Sequence, residues 1–493
     1  MVERRQLGRS QSIVEGLALV IALALSAPAA AQLAEPRVTG TISNVTRVES
    51  WSFFEPRVES LALSAEPIGE PDYTFAADRA ELGVRMEGVR YDLSGAFNYV
   101  RLENLPTDAI GPGGFGSGAF YFAATGERYS YQLYLGELAV RIKSRDRSRI
   151  LTIGRTRLHP PSPIRFVGEK GMVGWLTRER LDGRLIGNFE WSLYQRRFDG
   201  ASLDLYRDRW TFSGGAFMPT QGGFEESTNL TMTKIQLGTA TATHSTLAAE
   251  SQVFAHAYRD RRRGRKAVVD NRLRDDAPVD VTVATIGGSH ARAMTLPSGH
   301  ADVVAWGAAQ IGDWYGLPHR AGSAVVEAGH RWTDAAIRPW VRAGYAWASG
   351  DSAWNDGKHA TFFQMLPSSR RYALSSVYTH MNLRDAYVQV LIEPRGSLAR
   401  IEVHKVALAS GEDLWYQGSG ATSSGDRFFG FAGRVANGET SLGTVLEGTI
   451  NVPVRKYWSV NAYAGVIWGG RVVKQMFTDK PLTLWSIENV IRF

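Results

Sequence analysis

Eight charged side chains stand out by their spacing. Arg342 alternates against Val341, Ala343, Tyr345 and Trp347. Arg400 and His404, with Glu402 between them, alternate against Ala399, Ile401 and Val403. Arg79 and Arg85 share a row with Glu81 and Glu87, and Arg141 shares one with Glu137. Arg155 and Arg157 have the same parity on a stretch whose own alternation is ambiguous. Successive side chains of a strand point to opposite faces, so each set forms one polar row. A planar guanidinium binds both oxygens of a carboxylate, and rings of Arg favour anions. These eight residues are therefore the candidate contacts for an anionic substrate. The competing reading is that inward Arg and Glu pair with one another to brace a wall. Later polar rows add Glu447, Thr449, Asn461, Tyr463, Glu488 and Arg492.

Catalytic chemistry finds little support. There is no H-E-x-x-H pair, no G-x-S-x-G elbow and no G-K-[ST] phosphate loop. Gly111, Gly113 and Gly116 fit G-x-G-x-x-G, but no strand leads into them, Pro112 interrupts and no helix follows. Ser397 and His404 fall on opposite faces of one strand, which disfavours a dyad. Asp275-Asp276 lacks calcium-loop spacing. The reading is a protein that is not an enzyme and needs no cofactor and no metal.

Both ends of the chain say where these rows are placed. Arg4, Arg5 and Arg9 precede the apolar run Gly16–Leu25, and Ala29-Ala30-Ala31 then offers a cleavage site, so residues 1–31 read as a signal peptide. The last strand, Leu482–Phe493, places Trp485, Ile487, Ile491 and Phe493 on one face and Ser486, Glu488 and Arg492 on the other. A chain that ends in a half-apolar strand with a terminal aromatic suits a membrane barrel whose last strand closes on its first. Asn489 is the exception, a polar residue on the apolar face. Cysteine is absent, so neither disulfides nor thiolates contribute. The mature chain has no apolar run near 18 residues, and an exported, embedded chain without such helices must be a closed barrel.

Alternation recurs between turn residues, and 51 Gly with 18 Tyr, 14 Trp and 21 Phe suits short strands with aromatic girdles. Eighteen strands are expected in residues 32–493, with sixteen as the alternative. They lie near 38–48, 79–87, 91–103, 129–142, 149–157, 198–206, 210–218, 229–237, 246–257, 279–288, 300–310, 322–332, 337–348, 384–392, 397–408, 441–452, 457–468 and 482–493. The fold class is thus an all-β transmembrane antiparallel β-barrel. Short periplasmic turns, such as Gly88–Arg90 and Glu393–Gly396, alternate with long extracellular connections such as 158–197, 349–383 and 409–440. The connection 349–383 is read as a gate over the mouth. The basic run Asp260–Lys266 falls in an external loop, where it meets acidic lipopolysaccharide and no nucleic acid.

Several segments carry a family resemblance. Gly344-Tyr345-Ala346-Trp347-Ala348-Ser349-Gly350-Asp351, Asp356-Gly357-Lys358-His359, Thr361-Phe362 and Gln364-Met365-Leu366-Pro367 resemble the alginate-export family of bacterial outer-membrane porins. Asn382-Leu383-Arg384-Asp385, Ile153–Leu158, Arg197–Leu203 and Arg209-Trp210 are similar to further family segments. The resemblance implies an eighteen-stranded barrel with an Arg-lined constriction and an anionic polysaccharide as cargo. The expected protein is a monomeric outer-membrane channel that exports such a polymer by passive diffusion. Its further contacts would be outer-membrane lipid, lipopolysaccharide and periplasmic export partners. The alternatives are a general or small-anion porin for solute uptake and, third, a barrel enzyme acting on lipid or polysaccharide.

Overall fold

The computed structural model describes residues 36–57, 69–109, 117–158, 171–224, 230–262, 280–368, 377–424 and 429–493. The signal sequence, the Gly111–Gly116 motif, Asp275-Asp276 and most of the basic run lie outside the described residues.

Eighteen antiparallel strands form one closed sheet. In chain order they are β1 (Arg37–Ser52), β2 (Asp72–Glu87), β3 (Tyr91–Glu103), β4 (Ser130–Lys143), β5 (Arg149–Thr156), β6 (Phe198–Arg207), β7 (Trp210–Pro219), β8 (Ile235–Ser245) and β9 (Ala249–Asp260). There follow β10 (Val281–Leu296), β11 (Gly299–Trp314), β12 (Leu317–Trp332), β13 (Trp340–Ala348), β14 (Leu383–Ile392) and β15 (Leu398–Ala407). The last three barrel strands are β18 (Ser441–Arg455), β19 (Trp458–Gly469) and β20 (Leu482–Arg492). A separate hairpin, β16 (Leu414–Gly418) with β17 (Phe431–Val435), lies in the connection between β15 and β18. Closure comes from β1, which pairs with β2 on one side and with β20 on the other, from Ser43 opposite Arg492 to Ser52 opposite Thr483. No edge remains to be satisfied, which is what a spanning sheet requires. No helix of the described residues is long and apolar enough to cross a membrane.

Alternation separates lipid from lumen. Val341, Tyr345 and Trp347 are exposed on the outside of β13, while Trp340, Arg342, Ala346 and Ala348 are buried inside. Ile401 and Val403 point outward from β15, and Glu402, His404 and Val406 inward. On β20, Trp485 and Ile487 are exposed outward and Leu484, Ser486 and Val490 are buried inward. Asn489 does face outward, but it is not orphaned, because the Trp458 indole N–H donates to its side-chain oxygen. Tyr457 and Phe493 pack 5.2 Å apart at the same rim. An amide at that level sits in an aromatic interfacial belt, where a polar tip is tolerated.

Several strand boundaries differ from the sequence-based expectation; β2, for one, starts at Asp72 and not at Arg79. The break expected between 310 and 322 is a two-residue turn, with Tyr315 at φ 55 and Gly316 at φ 82. Two left-handed residues make the tight hairpin that matches strand twist, so β11 and β12 run on to Trp314 and from Leu317. β10 continues past Gly287-Gly288, which reads as a turn. A Cβ on Gly287 would lie 2.3 Å from the Gly307 carbonyl oxygen and 2.5 Å from the Phe254 ring, so this glycine permits close approach inside the sheet. β8 begins at Ile235 and not near 229, because its run of Gly238, Thr239, Ala240 and Thr241 alternates in size too weakly to be read.

The outward rows predict a mutational outcome. Ile286 is exposed on the outer face of β10, so Ile286→Arg should destabilise the barrel by about 2–4 kcal/mol if it lies near the bilayer centre. Urea unfolding in lipid vesicles measures this, and an unchanged midpoint would contradict the outward assignment.

Candidate translocation pathway

The lumen is not empty. The connection between β5 and β6 enters it as a short helix α1 (Gly171–Leu176), a π-helical turn Thr177–Leu181 and an irregular run to Arg197. Val173 and Leu176 pack with Ala291, Val304, Trp340 and Leu391 of the wall, which puts α1 towards the periplasmic ends of those strands.

Ion pairs hold this segment. Glu327, projecting inward from β12, is fully buried and meets Arg180 at 2.9 Å, Arg184 at 3.4 Å and Arg342 at 2.8 Å. The Tyr387 hydroxyl adds a hydrogen bond at 2.7 Å. Asp302 on β11 takes the other side of Arg342 at 2.9 Å and accepts from the Trp340 indole at 2.7 Å. Higher up, the segment pairs with the β13–β14 connection through Gly187 N–H to Leu366 oxygen and Leu366 N–H to Leu185 oxygen. The buried Arg196 guanidinium donates to the carbonyls of Leu366, Ser419 and Ala421. One side chain thus ties together the three connections entered at 157, 349 and 408.

The external turn is clamped in the same way. His359 stacks on Trp314 with ring centroids 4.2 Å apart and lies 2.8 Å from His319, nitrogen to nitrogen. Nearby, Asp413 accepts from Thr361, Tyr416 and the Asp351 and Leu414 N–H groups. Burial nevertheless pushes its carboxyl up to about 6. His380 lies 2.6 Å from Ser323. Burial first, and Arg184 second, push its imidazole down to about 3.

The inserted segment lines two cavities of the lumen that differ in charge. One, of about 480 Å³, is lined by Arg47 and Arg400 but also by Glu49, Glu179, Glu190 and Glu488. The other, of about 530 Å³, lies against β3–β9 and carries Ser94, Thr152, Ser202, Ser213, Thr239 and Thr241. Its charges are Arg141, Arg157 and Arg184 with Glu137, Asp182 and Asp204. Behind Arg157 the balance tips. Glu81 is the ion-pair partner of Arg157 at 2.6 Å and of Arg197 at 3.6 Å, and Arg79 is close to both Glu81 and Arg157. Two guanidiniums therefore share one carboxylate, with a third close by.

A model of the family described as alginate export matches residues 171–479. The chain belongs to the alginate export family. Its barrel is similar to those of the Acinetobacter baumannii channel OccAB1 (TM-score 0.57, 9% identity, 92% of this chain and 96% of that one) and Pseudomonas aeruginosa OccK9 (0.55, 12%, 92% and 98%). It also resembles Pseudomonas aeruginosa OpdK solved with vanillate (TM-score 0.53, 9% identity, 92% and 98%). At such identities the likeness is one of fold. No curated protein sequence matches. Family and barrel together make this an outer-membrane channel of the alginate export family, a family of transport channels.

Of the arginines singled out by alternation, those on the luminal rows are mostly engaged. Arg342 is buried between Asp302 and Glu327. Arg400 lies 3.6 Å from Glu402 and His404 lies 3.0 Å from Asp385, all on inward rows. Arg85 is half-exposed and pairs with Glu87 at 3.0 Å. Arg141 and Arg157 line the β3–β9 cavity, and Arg79 of β2 lies behind Arg157. Arg155 does not join them. In its ladder Leu138 and Asp199 are its partners, on the outward parity of Ile153 and Leu203, and Asp199 holds its guanidinium through two bonds of 2.7 Å. Arg157 reaches the lumen because the strand stops at Thr156 and the alternation stops with it.

Sequence reasoning passed over Glu327, Asp302, Arg180, Arg184, Arg196 and Arg197. Glu327 had a signal, a lone carboxylate whose neighbour Val326 points outward. The arginines had none, since Glu179-Arg180-Leu181-Asp182 reads as a solvated loop.

The network has a mechanical consequence. Glu327→Gln leaves three buried guanidiniums without their shared carboxylate and should cost about 3–5 kcal/mol. With the segment loosened, single-channel conductance should rise and become noisy; a quiet, wild-type trace would show that Glu327 does not hold it. Acid acts through two groups of opposite sign: Asp413, whose raised carboxyl value makes the folded loop gain stability as it takes up a proton, and His380. Its folded-state value lies below the ordinary 6.5, so the folded loop binds fewer protons and loses stability as pH falls from about 6.5 towards about 3. Between pH 7 and 5 the His380 loss is roughly 2 kcal/mol. Channel noise should rise over that interval, and less so in His380→Gln.

Proposed function

We propose that this protein exports an anionic, alginate-like exopolysaccharide from the periplasm by passive diffusion along the β3–β9 side of the lumen. The observation that carries this reading is the sharing of Glu81 by Arg157 and Arg197, with Arg79 close to the pair. It leaves positive charge beside a wall rich in hydroxyls. Guanidiniums suit the carboxylates of a uronic acid chain, and serine and threonine hydroxyls both donate to and accept from sugar hydroxyls. Contacts that are many and individually weak let a polymer slide, where one tight site would stall it. The opposite cavity, with four glutamates to two arginines, repels the same chain. In this reading Arg141 and Arg157 contact cargo, Arg79 backs Arg157 with further positive charge, Arg342 and Arg400 position the wall, and the β13–β14 connection gates the mouth. The working unit is a monomeric barrel in contact with lipid, lipopolysaccharide and periplasmic export partners.

A second reading, a small-anion porin for uptake, draws support from the width of the path, since a cavity of about 530 Å³ is the size of a site for small ligands. Planar-bilayer recording separates the two. Export predicts anion selectivity, block by polyuronate oligomers from the periplasmic side, and loss of both in Arg157→Glu. Selectivity without block by oligomers supports the porin, and cation selectivity defeats both.

A further inference from the structure

The inward face of β15 and β18 carries an arrangement that transport does not use. Glu402 and Glu447 are directly opposite one another in the ladder, and both are buried, with 1% and 2% of their surface exposed. Like charges facing each other across a strand pair repel, and burial magnifies the cost. His404, on the same row and fully buried, completes the group. Its Nδ1 lies 3.0 Å from an Asp385 oxygen, which also accepts from the Tyr378 hydroxyl at 3.0 Å. That bond fixes the ring and turns Nε2 towards the glutamates, 3.9 Å from Glu402 Oε2. Among the described residues, His404 Nε2 and Glu402 Oε2 make no hydrogen bond of good geometry and face each other at 3.9 Å. One donor atom each from Glu402, His404 and Glu447 lies within 4.8 Å of the others.

We propose that Glu402, His404 Nε2 and Glu447 bind a divalent transition-metal ion, with zinc as its prototype, and that Asp385 orients the histidine. A carboxylate on the far nitrogen of a ligating imidazole is the usual outer partner in such sites. One nitrogen and two carboxylates suit zinc, manganese or ferrous iron, whereas calcium and magnesium prefer oxygen throughout. Zinc bonds of about 2.0–2.2 Å place two donors at most about 4.4 Å apart, so a small closure of the side chains is enough. Glu402 Oε1 accepts from Gln389 and faces Arg180 at 3.9 Å, and Glu447 accepts from Tyr463 at 3.3 Å. Arg400 lies 3.6 Å from Glu402 Oε2, but it also lines the 480 Å³ cavity and can swing into it. The ion neutralises the facing carboxylates and staples β15 to β18 beneath the long connection that joins them.

The test uses the full-length, tag-free barrel in detergent, stripped with a chelator and titrated with zinc by calorimetry. Cobalt substitution then reports the ligand field by visible absorption. The expected result is about one site per chain, weakened at least tenfold in His404→Ala and Glu447→Gln and by about 10–100-fold in Asp385→Asn. The cobalt bands should be lost in His404→Ala. Circular dichroism checks that each variant is folded, and if His404→Ala is not, the isosteric Glu447→Gln decides. No zinc uptake by the wild type, or equal uptake by wild type and a folded variant, overturns the proposal and leaves a histidinium clasping two carboxylates. Neither result bears on polymer export, which the conductance measurements test separately.

Discussion

A single buried carboxylate organises the inside of this barrel. Glu327 accepts from Arg180, Arg184 and Tyr387 and pairs with Arg342. Taking one carboxylate and three guanidiniums out of water is costly, and the geometry must repay it nearly in full. It does so by joining two parts of the molecule that otherwise have little reason to touch, the wall strand β12 and the segment that enters from the β5–β6 connection. A barrel of this strand number would leave an open channel. Here the segment pinned on Glu327 fills part of that channel and lines two of its cavities, one acidic and one carrying hydroxyls and arginine.

The wall makes this possible because it is self-sufficient. Closure of β1 on β20 satisfies the last strand's backbone, and the outward rows meet lipid without help from the lumen. The inward rows are then at liberty to carry charge. They hold Arg342, Asp302, Glu327, Glu402 and His404, which in a soluble sandwich would occupy the hydrophobic core. The connections repeat the scheme above the membrane. Arg196 gathers three loop carbonyls, and the Trp314–His359–His319 stack fastens the β13–β14 connection to the tightest of the external turns.

How far the site was legible follows from this division. The inward parity of Arg79, Arg141, Arg342, Arg400 and His404 could be read from neighbours two residues away. The outward parity of Arg155 could not, since Ile153-Gly154-Arg155 offers no clear apolar row. The stated alternative, that inward Arg and Glu brace each other, describes Arg342 and Arg400 in the structure. Asn489 looked anomalous only because its partner Trp458 lies on the adjacent strand.

The sequence alone indicated an outer-membrane barrel of eighteen strands, with sixteen as the alternative, the faces of most strands and a resemblance to the family. All of these rest on local order: a period of two, turn residues between runs, and motifs a few residues long. Only the tertiary structure decided which arginines are engaged and how the segment from the β5–β6 connection enters the lumen. Arg180 and Glu327 are 147 residues apart in the chain, and Glu81 and Arg157 are 76 apart. No periodicity records such pairings, because they depend on how a long connection enters the lumen. That path is set by packing and buried charge together.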